Sequence, residues 1–313
     1  MTEFLLKRAA TTLLTLLGAL VVVFLIVRLV PGDPALLYLG DNYTPEAYRD
    51  VRTALGLDRP VVDQLVQFLR KVITGDFGAS FRTHRPVIRE LLEQFPYTIV
   101  LAITGLLVAV LIGVPSGIVA ALKRNQWADQ TAMLVALLGV TMPSFWIGIL
   151  LLLLFSLRLG WLPAIGGGDL SSPMTLLEHV ALPALTLGLS SAALIARLTR
   201  SAMLEVLNQD YIRTARAKGI GESRVVMRHS LRNAMIPILT IIGIDLGRML
   251  AGTTVIEIVF SRPGVGHLLI EAMQARDYPQ IQGAILFYIT VIIVTNTLVD
   301  VLYTVVDPRI RFA

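Results

Sequence analysis

The chain has no cysteine and little charge. Cysteine is absent from its 313 residues, and only 16% of them are Asp, Glu, Lys or Arg. Without cysteine there are no disulfides and no thiolate metal sites, so any segment outside a membrane must be stabilised by packing. With 55% hydrophobic residues and a mean hydropathy of +0.72, the chain is too apolar for a water-soluble domain of this length. The composition predicts a membrane protein.

Motifs for catalysis and metal binding are also scarce. The four histidines, His84, His179, His229 and His267, are scattered and form no His-Glu-x-x-His spacing. Gly166-Gly-Gly-Asp169 fits the Gly-x-Gly-Asp pattern of intramembrane aspartyl proteases, but no second aspartate is evident in an adjacent span. The sequence therefore favours a non-catalytic protein without a metal site over a metalloprotease or an intramembrane aspartyl protease.

Apolar runs predict the membrane spans. A helix needs about 20 residues to cross a hydrocarbon core of about 30 Å. Four uncharged runs are long enough, and two weaker runs complete the set, so we expect an all-α membrane protein with about six transmembrane helices. The four runs are Ala9 to Val27, Gln94 to Leu122, Gln130 to Leu157 and Tyr278 to Val299; the weaker ones are Val180 to Ala196, which is slightly short, and Asn233 to Ile258, which charged residues interrupt.

The basic residues predict the orientation. From Arg197 to Met235 there are eight Lys or Arg against three acids, and such an excess marks the cytoplasmic side of a membrane protein. Lys123-Arg124 and the pair Arg309 and Arg311 fall on the same side if there are six helices, so both termini are expected inside. The excess in this loop accounts for the net charge of +5, which favours membrane topology over nucleic-acid binding.

Three parts are expected along the chain. Residues 1–30 form the first transmembrane helix, residues 31–97 an extracytoplasmic segment, and residues 98–313 a five-helix transmembrane core with a cytoplasmic loop at about 197–235. The outer segment is expected to be helical, because Tyr43 to Leu55 and Val61 to Ile73 have helical periodicity; Thr74 to Gly78 reads as a turn. The later outer loops, Arg158 to His179 and Phe260 to Gln282, either line an entrance or merely connect helices.

One basic segment lies between two apolar blocks. Leu204 to Lys218 contains good helix formers, and Gly219 and Gly221 follow it, so a short helix ending in a turn is expected. Its charges could contact an acidic protein surface or could face lipid phosphates and solvent. The residues assigned to this candidate contact surface are Asp210, Tyr211, Arg213, Thr214, Ala215, Arg216, Ala217, Lys218 and Gly219.

Some polar residues fall inside the predicted spans. Charges there usually face protein or a water-filled cavity, so these side chains either contact substrate or pack against a neighbouring subunit. Asp245 and Arg248 are three residues apart and can pair on one helix face. The full candidate set is Asp245, Arg248, Glu257, Asn296 and Asp300, and Gly105, Gly113 and Gly117 are expected to allow close helix packing.

The basic segment carries a family resemblance. Asp210-Tyr-Ile-Arg-Thr-Ala-Arg-Ala-Lys-Gly219, continued by His229-Ser-Leu-Arg-Asn-Ala-Met-Ile-Pro237, resembles the cytoplasmic coupling loop of permease subunits from binding-protein-dependent ABC importers of the dipeptide/oligopeptide/nickel branch. The likeness extends over nearly the whole chain. Further matching segments are Leu29-Val-Pro-Gly-Asp-Pro34, Leu55-Gly-Leu57, Gly75-Asp-Phe-Gly78, Leu159-Gly-Trp-Leu-Pro163, Arg276-Asp-Tyr-Pro279 and Val306-Asp-Pro-Arg-Ile-Arg311.

The coupling loop departs from the general importer pattern. That pattern is Glu-Ala-Ala, three residues, Gly, nine residues, then Ile-x-Leu-Pro. With Gly219 as the Gly, the first triplet is Arg213-Thr-Ala215 and the last element begins at His229. The final Ala, the Gly and the Leu at 231 are kept, whereas Glu, Ile and Pro are not. The departures resemble the peptide-transporter variant.

The resemblance implies a type I importer permease that works by alternating access. A binding protein delivers di- or oligopeptides from outside, two permease subunits form the pathway, and two cytoplasmic ATPases move the coupling helices. No Gly-x-x-x-x-Gly-Lys-Ser/Thr loop is present in the sequence, so ATP and Mg would be bound by the partner subunits. The implied location is the bacterial inner membrane. Glutathione or a nickel chelate is an alternative cargo, and an ATP-independent channel or transporter is an alternative from outside the family.

Overall fold

The computed structural model describes residues 2–29, 33–39, 43–54 and 56–306, with side chains placed except at 2–9, 26–29, 34, 37, 54 and 300–306. These ranges are almost entirely helical, and the one extended pairing within them is an isolated bridge between Ala79 and Pro86. Three parts of the matching segments fall outside the described residues: positions 30–32 of the motif Leu29 to Pro34, Leu55, and the chain end at 307–313.

The helices follow one another with short connections. They are α1 Thr2–Leu29, α2 Pro34–Leu39, α3 Pro45–Ala54, α4 Val61–Ile73, α5 Val87–Leu122, α6 Trp127–Thr141, α7 Ser144–Leu151, α8 Pro173–Leu207, α9 Asp210–Ala217, α10 Glu222–Arg224, α11 Leu231–Val259, α12 Val265–Gln274 and α13 Tyr278–Val306. Two π-helical stretches, Leu152–Arg158 after α7 and Val225–Ser230 after α10, continue their helices without a break.

Four of the described helical segments are long and apolar enough to cross a membrane. They are Val87–Leu122, Pro173–Leu207, Glu222–Val259 and Tyr278–Val299. A bent pair of helices makes a fifth if it counts as one span, and Ala10–Leu25 is a shorter apolar helix. The all-helical membrane fold expected from the sequence is confirmed, whereas the count of six spans is not.

The run from Gln130 to Leu157 is not the straight span that its apolar composition predicted. Helix α6 and the following segment Ser144–Arg158 are bent by 104°. The break lies at Met142, whose ψ of 134° is extended, and at Pro143, which precedes α7. A residue before proline is disfavoured in the α region, and proline itself has no N–H to donate. The backbone chemistry of this one dipeptide therefore overrides the hydropathy of the run.

The two weaker apolar runs, Val180 to Ala196 and Asn233 to Ile258, both lie within long helices. Helix α8 extends well beyond Val180 to Ala196 at both ends and is the most buried of the four long helices. Helix α11 is continuous over its 29 residues, because Asp245 and Glu257 are buried within the protein rather than breaking the helix. Helix α8 packs against α6, α7 and α11.

The predicted glycine packing is present between α5 and α8. A Cβ at Gly105 would lie 2.9 Å from the Leu187 side chain, one at Gly113 would lie 2.7 Å from the Ala192 carbonyl oxygen, and one at Gly117 would lie 2.5 Å from the Ala196 carbonyl oxygen. Such approaches leave no room for a methyl group.

The chain divides into two compact units, Met1–Pro96 with Pro263–Thr297, and Tyr97–Arg262 with Leu298–Ala313. The first contains helices α3 and α4, close to their expected positions in the sequence, and a core built on Val87, Leu91, Val265 and Ala284. The turn at Thr74 to Gly78 is also present, with positive φ at Gly75 and Gly78. The loop expected from Phe260 to Gln282 instead contains α12 and the start of α13.

Candidate functional site

The basic segment forms a separate helix, α9. The sequence predicted one helix from Leu204 to Lys218, but α8 ends at Leu207 and α9 runs from Asp210 to Ala217. Asp210 lies in its first turn and Arg216 in its last, and both charges oppose the partial charges at the helix ends. The segment is thus a short, electrostatically favoured helix with its own start and stop.

Gly219 ends the helix as predicted. Its φ is +76°, its N–H donates to the Arg216 carbonyl at 2.9 Å, and the Ile220 N–H donates to the Ala215 carbonyl at 3.3 Å. These two bonds form a Schellman motif, in which glycine has no Cβ penalty at the left-handed position. Gly221 has φ −59° and precedes α10, so it does not share this capping role.

One face of α9 is packed and the other is open. Ile212 and Ala215 are buried against Val225, with Ile220 beside them. The remaining candidate residues of the segment are exposed: Asp210, Tyr211, Arg213, Thr214, Arg216, Ala217, Lys218 and Gly219. The helix is therefore fixed to its own chain by a small apolar contact while it presents a polar, largely basic face.

Hydrogen bonds attach α9 to the start of α11. Asn233 Nδ2 donates to Tyr211 Oη at 2.7 Å, and Tyr211 Oη donates to the His229 carbonyl at 3.4 Å. Arg216 makes two bonds with Glu222, Nη2 to Oε1 at 2.6 Å and Nε to Oε2 at 3.1 Å. These bonds connect α9 to α10 and to the start of α11.

The charges on α9 are not equivalent. The hydrogen bond to Glu222 raises the pKa of Arg216, and the same bond engages its guanidinium within the chain. Arg213 makes an exposed contact of 3.3 Å with Asp210, which is worth little. No ion pair to Lys218 is found among the described residues. Arg213 and Lys218 are therefore the exposed cations of this segment that are least engaged within the chain.

The polar residues in the spans differ in burial. Asp245 is buried, and its contact with the exposed Arg248 measures 3.9 Å between Oδ1 and Nη1, at the outer limit of an ion pair. Asn296 is exposed on α13, and the side chain of Asp300 lies outside the described part of the chain. The structure thus places Asp245 beside Arg248, as the three-residue spacing predicted, but only loosely.

Glu257 belongs to a buried site that the sequence analysis missed in part. Its Oε1 accepts a hydrogen bond of 2.7 Å from Thr98 Oγ1. Arg262, the largest of the fully buried side chains, donates from Nη1 to the His179 carbonyl at 3.4 Å and lies 5.7 Å from the centre of the Tyr97 ring. Burial lowers the pKa of Arg262, while the Glu257 charge opposes that shift. An arginine five residues after an intramembrane glutamate was the sequence signal for this site.

An ion pair between α6 and α8 was also not predicted from the sequence. Asp129, in the first turn of α6, accepts two hydrogen bonds from Arg200 on α8, Nε to Oδ1 at 2.6 Å and Nη2 to Oδ2 at 2.7 Å. The Asn125 N–H also donates to Asp129 Oδ2 at 2.9 Å. Arg200 falls within the basic stretch from Arg197 to Met235, and its partner lies 71 residues earlier.

These features together define a polytopic helical membrane protein in which a capped, exposed helix lies between two long helices, α8 and α11. This is the architecture of a transport permease. Residues 113–312 match the model of the binding-protein-dependent transport system inner membrane component, and residues 1–102 match the N-terminal model of such membrane components. The chain belongs to this family. The resemblance seen in its motifs is thereby confirmed, and it is a multi-pass inner-membrane transport subunit.

Two relatives show how far the likeness extends. A putative peptide transport system permease protein of Brucella abortus (strain 2308) is 44% identical over 313 residues, which is 100% of both chains. The glutathione transport system permease protein GsiC of Escherichia coli (strain K12) is 43% identical over 312 residues, again 100% of both chains. The full length of the chain is therefore shared with named permeases.

Solved structures show the same fold at low identity. An inward-facing crystal form of the MetNI methionine ABC transporter matches with a TM-score of 0.56 at 16% identity, over 69% of this chain and 96% of that chain. An amino acid ABC transporter crystallised with histidines matches with a TM-score of 0.52 at 16% identity, over 69% and 93%. The importer-permease fold predicted from the motifs is confirmed.

Proposed function

We propose that this chain forms one half of the translocation pathway of an ATP-driven importer for di- or oligopeptides. The observation that carries the proposal is that α9 is an exposed basic helix, hydrogen-bonded to α11 through Tyr211 and Asn233. A helix of this kind converts movement of a cytoplasmic partner into movement of a membrane span. The 44% identity to a peptide transport permease supports the cargo class.

The partners follow from this assignment. We infer a second permease subunit, two cytoplasmic ATPases that bind ATP and Mg, an extracytoplasmic substrate-binding protein, and surrounding lipid. The ATPases contact the exposed face of α9, where Asp210, Arg213 and Lys218 are accessible. The three-part division of the chain, with both termini cytoplasmic, belongs to the same proposal and is supported by the basic loop around α9.

Glutathione is a second candidate cargo, because GsiC is 43% identical over its full length. Both cargoes are short peptides with a free amino group and free carboxylates, and they differ in length and in the γ-linkage of the glutathione glutamate. Uptake by proteoliposomes containing the whole complex and its binding protein separates them. Import of unmodified dipeptides with no competition from glutathione supports the first cargo, whereas the reverse result supports the second.

The coupling assignment is tested by co-purification and ATPase assay. Arg213→Glu reverses an exposed charge of α9 without touching its packed face, and Lys123→Glu is the matched control in another exposed basic stretch. We expect Arg213→Glu to lower recovery of the ATPase subunits and the control to retain them. Equal recovery of ATPase subunits with both variants, or solute movement by the purified chain without ATP, would contradict the proposal.

A further inference from the structure

A cavity of about 430 Å³ lies in the first unit. Its volume falls in the range of small-molecule sites, about 300–1,000 Å³. Aromatic rings line much of it, and Tyr38 and Phe81 meet edge to face with their centroids 5.1 Å apart. The lining side chains used below are Tyr38, Phe68, Phe77 and Phe81 on the apolar side, with Gln67, Lys71, Asp76 and Gln282 on the polar side.

Two opposite charges are held at one edge of this cavity. Lys71 and Asp76 stand on either side of the end of α4, where the Asp76 N–H donates to the Lys71 carbonyl at 2.9 Å and the Gly75 N–H donates to the Val72 carbonyl at 3.0 Å. Gly75 has φ +73°, so this is a Schellman motif like the one after α9. The backbone therefore fixes the two residues near each other.

The side chains of Lys71 and Asp76 nevertheless do not pair with each other. Within the described residues, no ion pair of 4.0 Å or less involves Lys71 or Asp76. Asp76 Oδ1 accepts the Gly78 N–H at 2.9 Å, which orients the carboxylate, while its Oδ2 has no hydrogen-bond partner in the described part of the chain. A cation and an anion thus line the same cavity, each with bonding capacity left over.

Two side-chain amides that line the same cavity, those of Gln67 and Gln282, are also available for hydrogen bonding. Gln67 on α4 and Gln282 on α13 make no side-chain hydrogen bond within the ranges that the structure describes, whereas the nearby Gln64 donates to the Arg59 carbonyl at 2.8 Å. An amide carries two donors and an acceptor, the complement of a peptide group. The wall that holds Gln282 is closely packed, since a Cβ at its neighbour Gly283 would lie 2.4 Å from Val87.

From this arrangement we propose that the cavity binds a small zwitterion, a short unblocked peptide, directly on the permease. The ligand carboxylate pairs with Lys71, its ammonium with Asp76, its peptide group with Gln67 or Gln282, and an apolar side chain lies among the aromatic rings. The inference rests on the proposed peptide import and adds to it a cargo site on the outer segment of this subunit.

The test measures equilibrium binding to the whole transporter complex in nanodiscs, without the binding protein. The probes are Ala-Phe, N-acetyl-Ala-Phe, Ala-Phe-amide and free phenylalanine. Because both charges are exposed, we expect each blocking group to weaken binding by about threefold, the size of an exposed ion pair. Free phenylalanine, which has no peptide group for the amides, should bind more weakly than Ala-Phe; equal binding would overturn the choice of a peptide over an amino acid.

The variants assign each end of the ligand to its partner. Lys71→Ala should abolish the penalty for amidation and keep the penalty for acetylation, and Asp76→Asn should do the reverse while preserving the turn to Gly78. Arg70→Ala, an exposed neighbour that does not line the cavity, should leave both penalties unchanged. Identical penalties in the wild type and in both cavity variants, or no binding of Ala-Phe at all, would overturn the site.

Uptake with the binding protein separates this inference from the function on which it rests. Import of dipeptides by a complex that fails the nanodisc test refutes the cavity site and leaves the proposed function standing. Charge-dependent binding without ATP-driven import refutes the proposed function and retains a zwitterion site. Both measurements use the same purified complex, in nanodiscs for binding and in proteoliposomes for uptake.

Discussion

Asp129 and Arg200 join α6 to α8 through two parallel hydrogen bonds of 2.6 and 2.7 Å, the fork-to-fork geometry of an arginine with a carboxylate. The Asp129 side chain is 5% exposed and that of Arg200 is 25% exposed. A carboxylate buried to this extent is stable as a charge only because it is paired, so the two residues act as one unit.

Arg200→Met is therefore expected to destabilise the protein by about 3 kcal/mol, because it leaves the Asp129 charge buried and unpaired. The double variant Asp129→Leu with Arg200→Met removes both charges and should recover most of the loss. Thermal unfolding in detergent measures both. A double variant as unstable as the sum of the single variants would show that the two residues do not depend on each other.

Close packing of α5 on α8 gives a second prediction. In Gly117→Ala the new methyl would lie 2.5 Å from the Ala196 carbonyl oxygen, so the helices must separate, at a cost of about 1–3 kcal/mol. Gly18→Ala is the matched control, because nothing lies within 4 Å of the Cβ position there. Only the Gly117 variant should lose thermal stability; equal behaviour of the two would mean that the helices yield without cost.

Features determined by neighbouring residues were predictable from the sequence. The cap at Gly219 and the helices of the outer segment depend on residues within one or two turns, and the four apolar runs that were strongest in composition lie in helices. The bend at Met142 and Pro143 was missed because hydropathy does not report that a residue before proline leaves the α region.

Features determined by distant residues were not predictable. Arg200 was counted as a loop charge because its partner Asp129 is 71 residues away. Likewise, the residues next to Glu257 and Arg262 in the sequence do not reveal that Thr98 contacts Glu257 or that Tyr97 lies beside Arg262. The cavity of the first unit likewise combines α4 with the start of α13. A single sequence contains the side chains of such sites but not their pairing.

The cap of α9 supplies a third prediction. Gly219 has φ +76° and open space around its Cβ position, so substitution there acts through the backbone alone. Gly219→Val places a β-branched residue in the left-handed region, which costs about 1–2 kcal/mol or more, whereas asparagine tolerates that region.

Peptide-stimulated ATPase activity of the reconstituted complex checks the cap. We expect Gly219→Val to lose most of the stimulation and Gly219→Asn to keep most of it, with both proteins inserted in the membrane at similar levels. Full stimulation in the valine variant would mean that the end of α9 does not have to be rigid for coupling.

The proposed orientation can be read with fused reporters. Alkaline phosphatase, which is active only outside, should be active when fused after Ile73 in the outer segment and inactive when fused after Lys218 or after the final residue, Ala313. Green fluorescent protein should give the opposite pattern. Phosphatase activity after Lys218 would place α9 outside and rule out its contact with a cytoplasmic ATPase.

The hydrogen bond from Asn233 to Tyr211 gives the last prediction. It tests whether α9 transmits movement to α11, separately from whether α9 binds the ATPases. Tyr211→Phe and Asn233→Leu each remove the 2.7 Å bond while leaving Arg213, Lys218 and the packed face of α9 in place. ATPase subunits should therefore still co-purify, but peptide uptake per ATP hydrolysed should fall in both variants. If the bond transmits the movement, the double variant is no worse than Tyr211→Phe alone, since that change already removes the bond to Asn233 together with the 3.4 Å bond to the His229 carbonyl. Additive losses would show that the two side chains act separately, and a loss of co-purification would assign Tyr211 to the docking face instead.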